Sequence, residues 1–141
     1  MVRLAVEGHQ GFMVSDVEVR RGGTSYTIDT VRDLRRTYGA GVELWLLMGQ
    51  DSFQDVSTWK QPDLIAAECF FGVARRPGYE GEVRPPVSGV RSEFVNITAV
   101  DISSTDIRAR LARGESISFL VPRKVEDYIR ANGVYAPTTP A

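Results

Sequence analysis

The sequence has few of the residues that build disulfides and zinc sites. Its 141 residues include one cysteine, Cys69, and one histidine, His9. A single cysteine excludes a disulfide framework and fits a reducing compartment, so we expect a cytoplasmic protein. One histidine and one cysteine cannot supply the ligands of an ordinary zinc site, so no protein-bound metal is expected. Cys69 lies in an apolar run that predicts a buried thiol, and His9 lies in a Gly-flanked loop that predicts a structural or solvent role.

An excess of charge of one sign and long apolar runs are also lacking. Lys and Arg number 17 against 18 Asp and Glu, so nothing in the overall charge favours nucleic acid or a membrane surface. No run reaches about 18 apolar residues, so neither a membrane-spanning helix nor a signal peptide is predicted. Hydrophobic residues make up 43% of the chain, which is enough for a core. We expect a single domain over residues 1–135 and a disordered tail over residues 136–141.

Strand-like and helix-like patterns alternate, which predicts an α/β class with a largely parallel sheet. The continuous apolar run Leu44–Met48 is typical of a strand buried on both faces. The other predicted strands are Phe12–Val19, Cys69–Ala74 and Glu93–Val100.

Predicted helices fill the intervals between these strands. One begins at a cap supplied by Ser25 or Thr27 and ends at Tyr38, with Gly39 as its stop. Short helical pieces are predicted between Ser52 and Glu68. The remaining predictions are the end of a helix over Met1–Glu7, a loop over Tyr79–Gly89 and a last helix with Pro122 at its first position.

The most informative stretch is Val100–Arg108. Ser103 is a good helix N-cap, and Ile102 and Ile107 occupy the two positions of a hydrophobic staple. A helix that begins here directs unpaired N–H groups and a positive dipole end at one point, which predicts an anion site. Ser104 and Thr105 add hydroxyl donors there, and Arg108 lies one turn further on. The alternative is a capped helix whose Arg108 is solvated or paired with Asp106.

Polar residues also follow two predicted strands. Gly49 and Asp51 come after Leu44–Met48, and Arg76 comes after Cys69–Ala74. Ligands of open α/β sheets bind beyond the carboxyl ends of the strands. Three polar groups expected at one edge of a sheet favour the anion site over the simple cap.

Taken in order, these motifs resemble the bacterial nicotinate-nucleotide adenylyltransferases of the nucleotidyltransferase superfamily. The pair Ser-Tyr-Thr-Ile-Asp-Thr and Ile-Ser-Ser-Thr-x-Ile-Arg is specific, whereas either motif alone would be weak. The matching segments cover nearly the whole chain and are Val14–Glu18, Ser25–Thr30, Met48–Ser52 with Trp59, Arg76–Gly78, Asp101–Arg108 and Tyr128–Tyr135.

The resemblance implies a Rossmann-like nucleotidyltransferase fold with three layers and a mostly parallel sheet. That family opens with a Gly-rich strand–turn–helix whose His-x-Gly-His motif holds the ATP phosphates, and this sequence has no such motif. The chain is therefore expected to match the carboxyl-terminal part of such an enzyme, without its first strand–helix–strand unit. No catalytic residue is assigned in this chain, and little activity is expected of it alone. Self-association or an amino-terminal partner fragment is expected.

The implied reaction transfers AMP from ATP to nicotinate mononucleotide, giving deamido-NAD and pyrophosphate in NAD biosynthesis. The attacking phosphate is already ionised, so catalysis is expected from positioning and charge neutralisation, with Mg²⁺ carried on ATP. The resemblance implies ATP-phosphate contacts, adenosine-ribose contacts and a nicotinate pocket. The residues are, in that order, Ser103, Ser104, Thr105 and Arg108; Gly49 and Asp51; and Tyr26, Thr27 and Trp59, with Arg76 and Ile102 as lesser candidates.

Each assignment has an alternative that needs no ligand. Trp59 could be core, Asp51 a helix cap, Gly49 a tight turn, and Tyr26 with Thr27 the start of a helix. Two rival functions also stay open: a related adenylyl- or cytidylyltransferase with another phosphorylated substrate, and a non-catalytic nucleotide-binding remnant or subunit. A dinucleotide dehydrogenase is disfavoured because no Gly-x-Gly-x-x-Gly follows any predicted strand.

Overall fold

A computed structural model gives the fold and describes residues 1–75 and 85–135. Arg76, most of the predicted Tyr79–Gly89 loop and the predicted tail lie outside the described residues. Within them, no helix is both long and apolar enough to cross a membrane. The elements are α1 (Val2–Val6), α2 (Val17–Arg21), α3 (Thr27–Tyr38), β1 (Trp45–Gly49), α4 (Gln50–Gln54), a 3-10 turn (Asp55–Thr58), α5 (Pro62–Glu68), β2 (Phe70–Arg75), β3 (Arg91–Asn96), α6 (Ser104–Ala112) and α7 (Arg123–Ala131).

The chain forms two compact units. The first unit consists of residues 1–15 and the chain from residue 100 onward, and the second unit consists of residues 16–99. The second unit holds a three-stranded sheet in the order β1-β2-β3. Both pairings are parallel, with Trp45 beside Phe70 and Phe70 beside Arg91. The predicted α/β class with a parallel sheet is confirmed.

Helices of the second unit cover one face of this sheet. Phe71 and Val73 of β2 are fully buried against Phe53 of α4 and Ile65 of α5. The rings of Phe53 and Phe71 meet edge-on, with centroids 5.6 Å apart. Side chains alternate between the two faces of a strand, so this core takes every second residue of β2.

Apolar side chains on the opposite face, such as Leu47 and Val95, are exposed, and within residues 1–75 and 85–135 no strand pairs with the outer edge of β1. This corrects the prediction for Leu44–Met48. The strand β1 is an edge strand, and its burial alternates instead of being complete on both faces. Leu47 is 78% exposed. Trp45 stacks on Phe70 with centroids 4.9 Å apart and is still 40% exposed. The apolar run correctly predicted a strand, but its composition could not reveal which neighbours cover that strand.

The predicted strand Phe12–Val19 is wrong. Residues 17–21 form the helix α2, and Val19 is 83% exposed. Alternating apolar residues favour a strand only where one face is buried. Here polar contacts to α3 fix the segment instead: Thr30 donates to Glu18 Oε1 at 2.6 Å, and the Arg21 guanidinium pairs with Asp33. The hydrogen bond from Arg21 holds the pKa of Asp33 below its usual range.

The helix α3 ends as predicted and begins differently. Gly39 closes it with φ +86°, a left-handed conformation that favours glycine, and its N–H donates to the Arg35 carbonyl. The N-cap is Tyr26 rather than Ser25 or Thr27, and its side chain makes no capping hydrogen bond. Ile28 and Val31 are buried, which gives α3 its inward stripe.

The first unit is built from α1, α6, α7 and the segment that joins α6 to α7. Ile107, Ile117, Val125 and Ile129 form its buried cluster. Pro122 is the N-cap of α7 and not its first helical residue, so the helix begins one residue later than predicted, at Arg123. The predicted strand Glu93–Val100 is shorter and shifted in the structure, since β3 of the second unit runs from Arg91 to Asn96.

The lone cysteine and histidine lie as predicted. Cys69 is 2% exposed, and burial raises the pKa of its thiol, which opposes a nucleophilic role. His9 is exposed in its loop, and its ring meets the edge of the Phe12 ring at 6.2 Å.

Candidate functional site

The amino-terminal end of α6, in the first unit, presents the predicted anion-binding groups. The Ser103 hydroxyl accepts a hydrogen bond from the Asp106 N–H at 3.0 Å, which confirms the cap. Because a helix leaves its first N–H groups without intrahelical partners, those of Ser104 and Thr105 stay available. Ser103, Ser104 and Thr105 are all exposed. This end can therefore donate several hydrogen bonds to one anion.

Arg108 is exposed, and its guanidinium reaches back toward this end. It donates to the Thr105 hydroxyl at 3.3 Å. Asp106 pairs instead with Arg110 at 2.8 Å, a bond that raises the pKa of Arg110. Arg108 is thus not paired with Asp106, which was one of the two arrangements that the capping alternative allowed. A cation beside the positive end of a helix dipole is favourable when an anion lies between them.

A cavity of about 290 Å³ lies beside these groups in the first unit. Ser103, Ser104 and Arg108 are among the residues that line it, and the rest of the lining is mostly apolar. The wall residues are Met1, Ile102, Ile107, Val121, Val125, Ile129 and Tyr135. Of the two residues of the predicted hydrophobic staple, Ile107 is buried and Ile102 remains 43% exposed. The arrangement suits a ligand with both a charged and an apolar part.

Gly49 and Asp51 lie in the second unit, where β1 gives way to α4. Both residues are exposed. Gly49 is the N-cap of α4 in extended conformation, and Asp51 lies in the first turn. The N-cap position belongs to Gly49, so the structure does not have the alternative in which Asp51 is the helix cap. An exposed carboxylate can accept from two neighbouring hydroxyl groups.

Gln50, between these two residues, was missed by sequence reasoning. It is 6% exposed, and within residues 1–75 and 85–135 its carboxamide has no hydrogen-bond partner. Its sequence signal is weak, since a glutamine after a strand is usually a surface residue.

The residues predicted for a nicotinate pocket lie in the second unit, at the start of α3 and after the 3-10 turn. Tyr26 is 43% exposed, and Lys60 Nζ lies 4.1 Å from its ring centroid. Lys60 also pairs with Asp29 at 3.2 Å. Trp59 is partly buried and packs against the core, so the alternative in which Trp59 is a core residue holds for the buried part of its side chain. Thr27 is half-buried as the first residue of α3.

Arg76 lies outside the described residues. Its neighbour Arg75 ends β2 and places its guanidinium 4.2 Å from the Phe94 ring centroid. In the described part of the chain, no three His, Cys, Asp or Glu side chains are grouped so that they could hold a metal ion.

Comparison with known proteins points to one family. The model of the cytidylyltransferase-like family matches residues 1–110. A probable nicotinate-nucleotide adenylyltransferase of Moorella thermoacetica is 42% identical over 144 residues, covering 97% of this chain and 66% of that protein. One from Thermomicrobium roseum is 41% identical over 140 residues, covering 96% of this chain and 65% of that protein. The chain thus spans about two thirds of the length of these relatives.

A solved structure supports the fold. Nicotinic acid mononucleotide adenylyltransferase of Plasmodium falciparum, complexed with APC, superposes with a TM-score of 0.63. The match covers 81% of this chain and 60% of that one, at 17% identity. At that identity the likeness establishes the α/β fold of a nucleotidyltransferase and nothing finer.

Proposed function

This chain belongs to the cytidylyltransferase-like family. We propose that its function is that of a nicotinate-nucleotide adenylyltransferase. The reaction is attack by the phosphate of nicotinate mononucleotide on the α-phosphorus of ATP, in the cytoplasm. The new bond joins that phosphate oxygen to the AMP moiety, and pyrophosphate leaves. Mg²⁺ enters with ATP as part of the substrate. The names of the relatives support this activity, which is the activity of longer proteins.

The observation that carries the proposal is the exposed amino-terminal end of α6 with Arg108 reaching back over it. We assign to the ATP phosphates the two free N–H groups, the hydroxyls of Ser103, Ser104 and Thr105, and the Arg108 guanidinium. Negative charge on the phosphates is then met by fixed donors that need no rearrangement, which is how positioned dipoles lower a barrier. Ile102 contributes the apolar rim of the adjoining cavity.

The remaining substrate groups are assigned to the second unit. The ribose hydroxyls of adenosine would donate to the Asp51 carboxylate, with Gly49 allowing close approach. Tyr26, Thr27 and the free part of Trp59 would form the nicotinate pocket, since an aromatic face can stack on a pyridine ring. Lys60, which lies over Tyr26, adds a positive charge near a substrate carboxylate. Arg76 stays a lesser candidate.

The test of this function is the affinity of the chain for ATP. Arg108→Ala should weaken ATP binding by about 1.5–3 kcal/mol, the scale of charge-assisted hydrogen bonds. The matched control is Arg113→Ala, at the other end of α6, where the guanidinium is held by Glu115 at 2.6 Å. Titration calorimetry with Mg²⁺·ATP should separate the two variants. Unchanged affinity in Arg108→Ala would return α6 to the simple capping alternative.

We also propose that the open edge of the sheet makes this chain self-associate. Phe70 N–H donates to the Leu44 carbonyl at 2.9 Å, so in a parallel ladder Trp45, Leu47 and Gly49 direct their N–H and C=O groups away from β2. The strand β1 contains no charge and no proline, the features that usually protect an edge. Two copies of one edge strand can pair about a two-fold axis.

Leu47→Lys should convert self-associated protein to smaller species in sedimentation velocity. Val19→Lys, which changes another exposed apolar side chain away from the sheet, should not. An amino-terminal fragment that supplies a strand should compete with self-association. A wild-type chain that sediments as a monomer at all concentrations would contradict this part of the proposal.

A further inference from the structure

The side chain of Gln50 is an exception among the buried polar groups of the described chain. Gln50 and Glu126 are the buried polar or charged residues of residues 1–75 and 85–135. Glu126 is satisfied by the Ser118 hydroxyl at 2.8 Å and by Arg130. Both Nε2 and Oε1 of Gln50, by contrast, have no partner among those residues. Such unsatisfied groups are rare in folded proteins and call for an explanation.

An unpartnered carboxamide costs free energy where it is, and it breaks no hydrogen bond when it moves. Gln50 is the first residue of α4, directly after Gly49 at the end of β1. It has three rotatable side-chain bonds, so the inference requires only a change of rotamer to direct its amide at a ligand beyond the end of β1. A ligand that offers both a donor and an acceptor would satisfy the two groups at once.

The chemistry of the carboxamide selects among the groups of the proposed substrates. Phosphates and the nicotinate carboxylate are acceptors, so they would satisfy Nε2 and repel Oε1. The ribose hydroxyls are donors that match the Asp51 carboxylate. Adenine presents its N6 amino donor beside the N7 or N1 acceptor, and a glutamine side chain forms a two-bond pair with that arrangement.

We infer that Gln50 is a specificity-determining residue that binds the adenine base of ATP through two hydrogen bonds. This inference rests on the proposed function and adds to it a residue for base selection. Its structural alternative is a buried polar side chain that contributes nothing to binding.

The test compares base analogues in wild-type chain, Gln50→Leu and Gln50→Met by titration calorimetry. The ligands are Mg²⁺ complexes of ATP, 7-deaza-ATP and purine riboside triphosphate, which lacks the N6 amino group. In the wild type, loss of the amino group should weaken binding about tenfold or more. In both Gln50 variants the affinities for ATP and purine riboside triphosphate should be equal. Gln54→Leu, an exposed glutamine on the same helix, is the control and should keep the wild-type preference.

A second readout separates binding from folding. The melting temperature of ligand-free Gln50→Leu should be unchanged or higher, because an apolar side chain of similar shape replaces an unpartnered amide. Equal discrimination against purine riboside triphosphate in wild type and Gln50→Leu would overturn the inference while leaving the proposed function intact. Failure of the wild-type chain to bind ATP would overturn both the inference and the proposed function. In that case Arg108→Ala would bind ATP no more weakly than the wild type.

Discussion

The second unit buries two phenylalanines completely, Phe53 and Phe71, whereas the buried apolar side chains of the first unit are isoleucine and valine. In the second unit these rings lie between a parallel sheet and its helices. In the first unit, α6 and α7 are held by a smaller cluster and by charged contacts such as Lys124 with Glu7 at 2.9 Å. Burial of large apolar side chains is the main source of stability, so we expect the core of the second unit to contribute more to the free energy of unfolding than the cluster of the first unit.

The difference separates two tasks. The first unit leaves the amino-terminal end of α6 exposed, with donors and an arginine that gain most when an anion arrives. Both units leave apolar side chains exposed, but the second unit does so along an edge strand, β1, where Leu47 has 78% of its area in solvent. Exposed polar groups at a helix end suit a small charged ligand, and an exposed apolar edge suits another polypeptide.

The largest expected effect comes from the buried rings of the second unit. Phe71→Ala should lower the free energy of unfolding by about 3–5 kcal/mol, because it leaves a cavity against Phe53. Ile117→Ala, its counterpart in the first unit, should cost toward the lower end of about 2–5 kcal/mol. Urea unfolding followed by circular dichroism measures both. An equal or greater loss for Ile117→Ala would show that the smaller cluster is packed as tightly as the larger core.

A smaller effect should distinguish two helix starts. Ser103→Ala removes the side-chain cap of α6 and should cost about 1 kcal/mol. Ser25→Ala should change stability by less than about 0.5 kcal/mol, because the structure gives α3 no side-chain cap. Both serines are exposed, so the pair is matched for burial. A similar loss in both variants would mean that Ser25 caps α3 in solution.

The smallest expected effect is a change in the slope of stability with pH. The hydrogen bonds from Ser118 and from Arg130 hold the pKa of Glu126 below its usual value. A carboxylate with a lowered folded-state pKa stabilises the fold above its unfolded pKa of about 4.3, and this contribution is lost as pH falls through the folded pKa. Glu126→Gln should therefore flatten the acid side of a plot of melting temperature against pH. An unchanged slope would assign the acid sensitivity to other carboxylates.

Several features of this protein were fixed by local sequence. Ser103 caps α6 because a short hydroxyl side chain can reach the N–H three residues on, whatever surrounds it. Gly39 ends α3 because a left-handed residue there costs glycine little. The apolar runs of β1 and β2 were recognisable as strands, since short continuous apolar runs between turns are typical of strands in a parallel sheet.

Tertiary structure alone decided the features that depend on what lies next to a segment. Val17–Arg21 became a helix because Glu18 and Arg21 find partners on α3, and those partners are twelve residues away along the chain. Leu47 is exposed because it lies on the face of β1 that points away from the helical core, in a strand at the edge of the sheet, and the composition of β1 does not encode either feature. The unpartnered burial of Gln50 is of the same kind. Burial and hydrogen bonding depend on residues that are distant in the sequence and close in the fold, whereas the pattern of one segment describes only that segment.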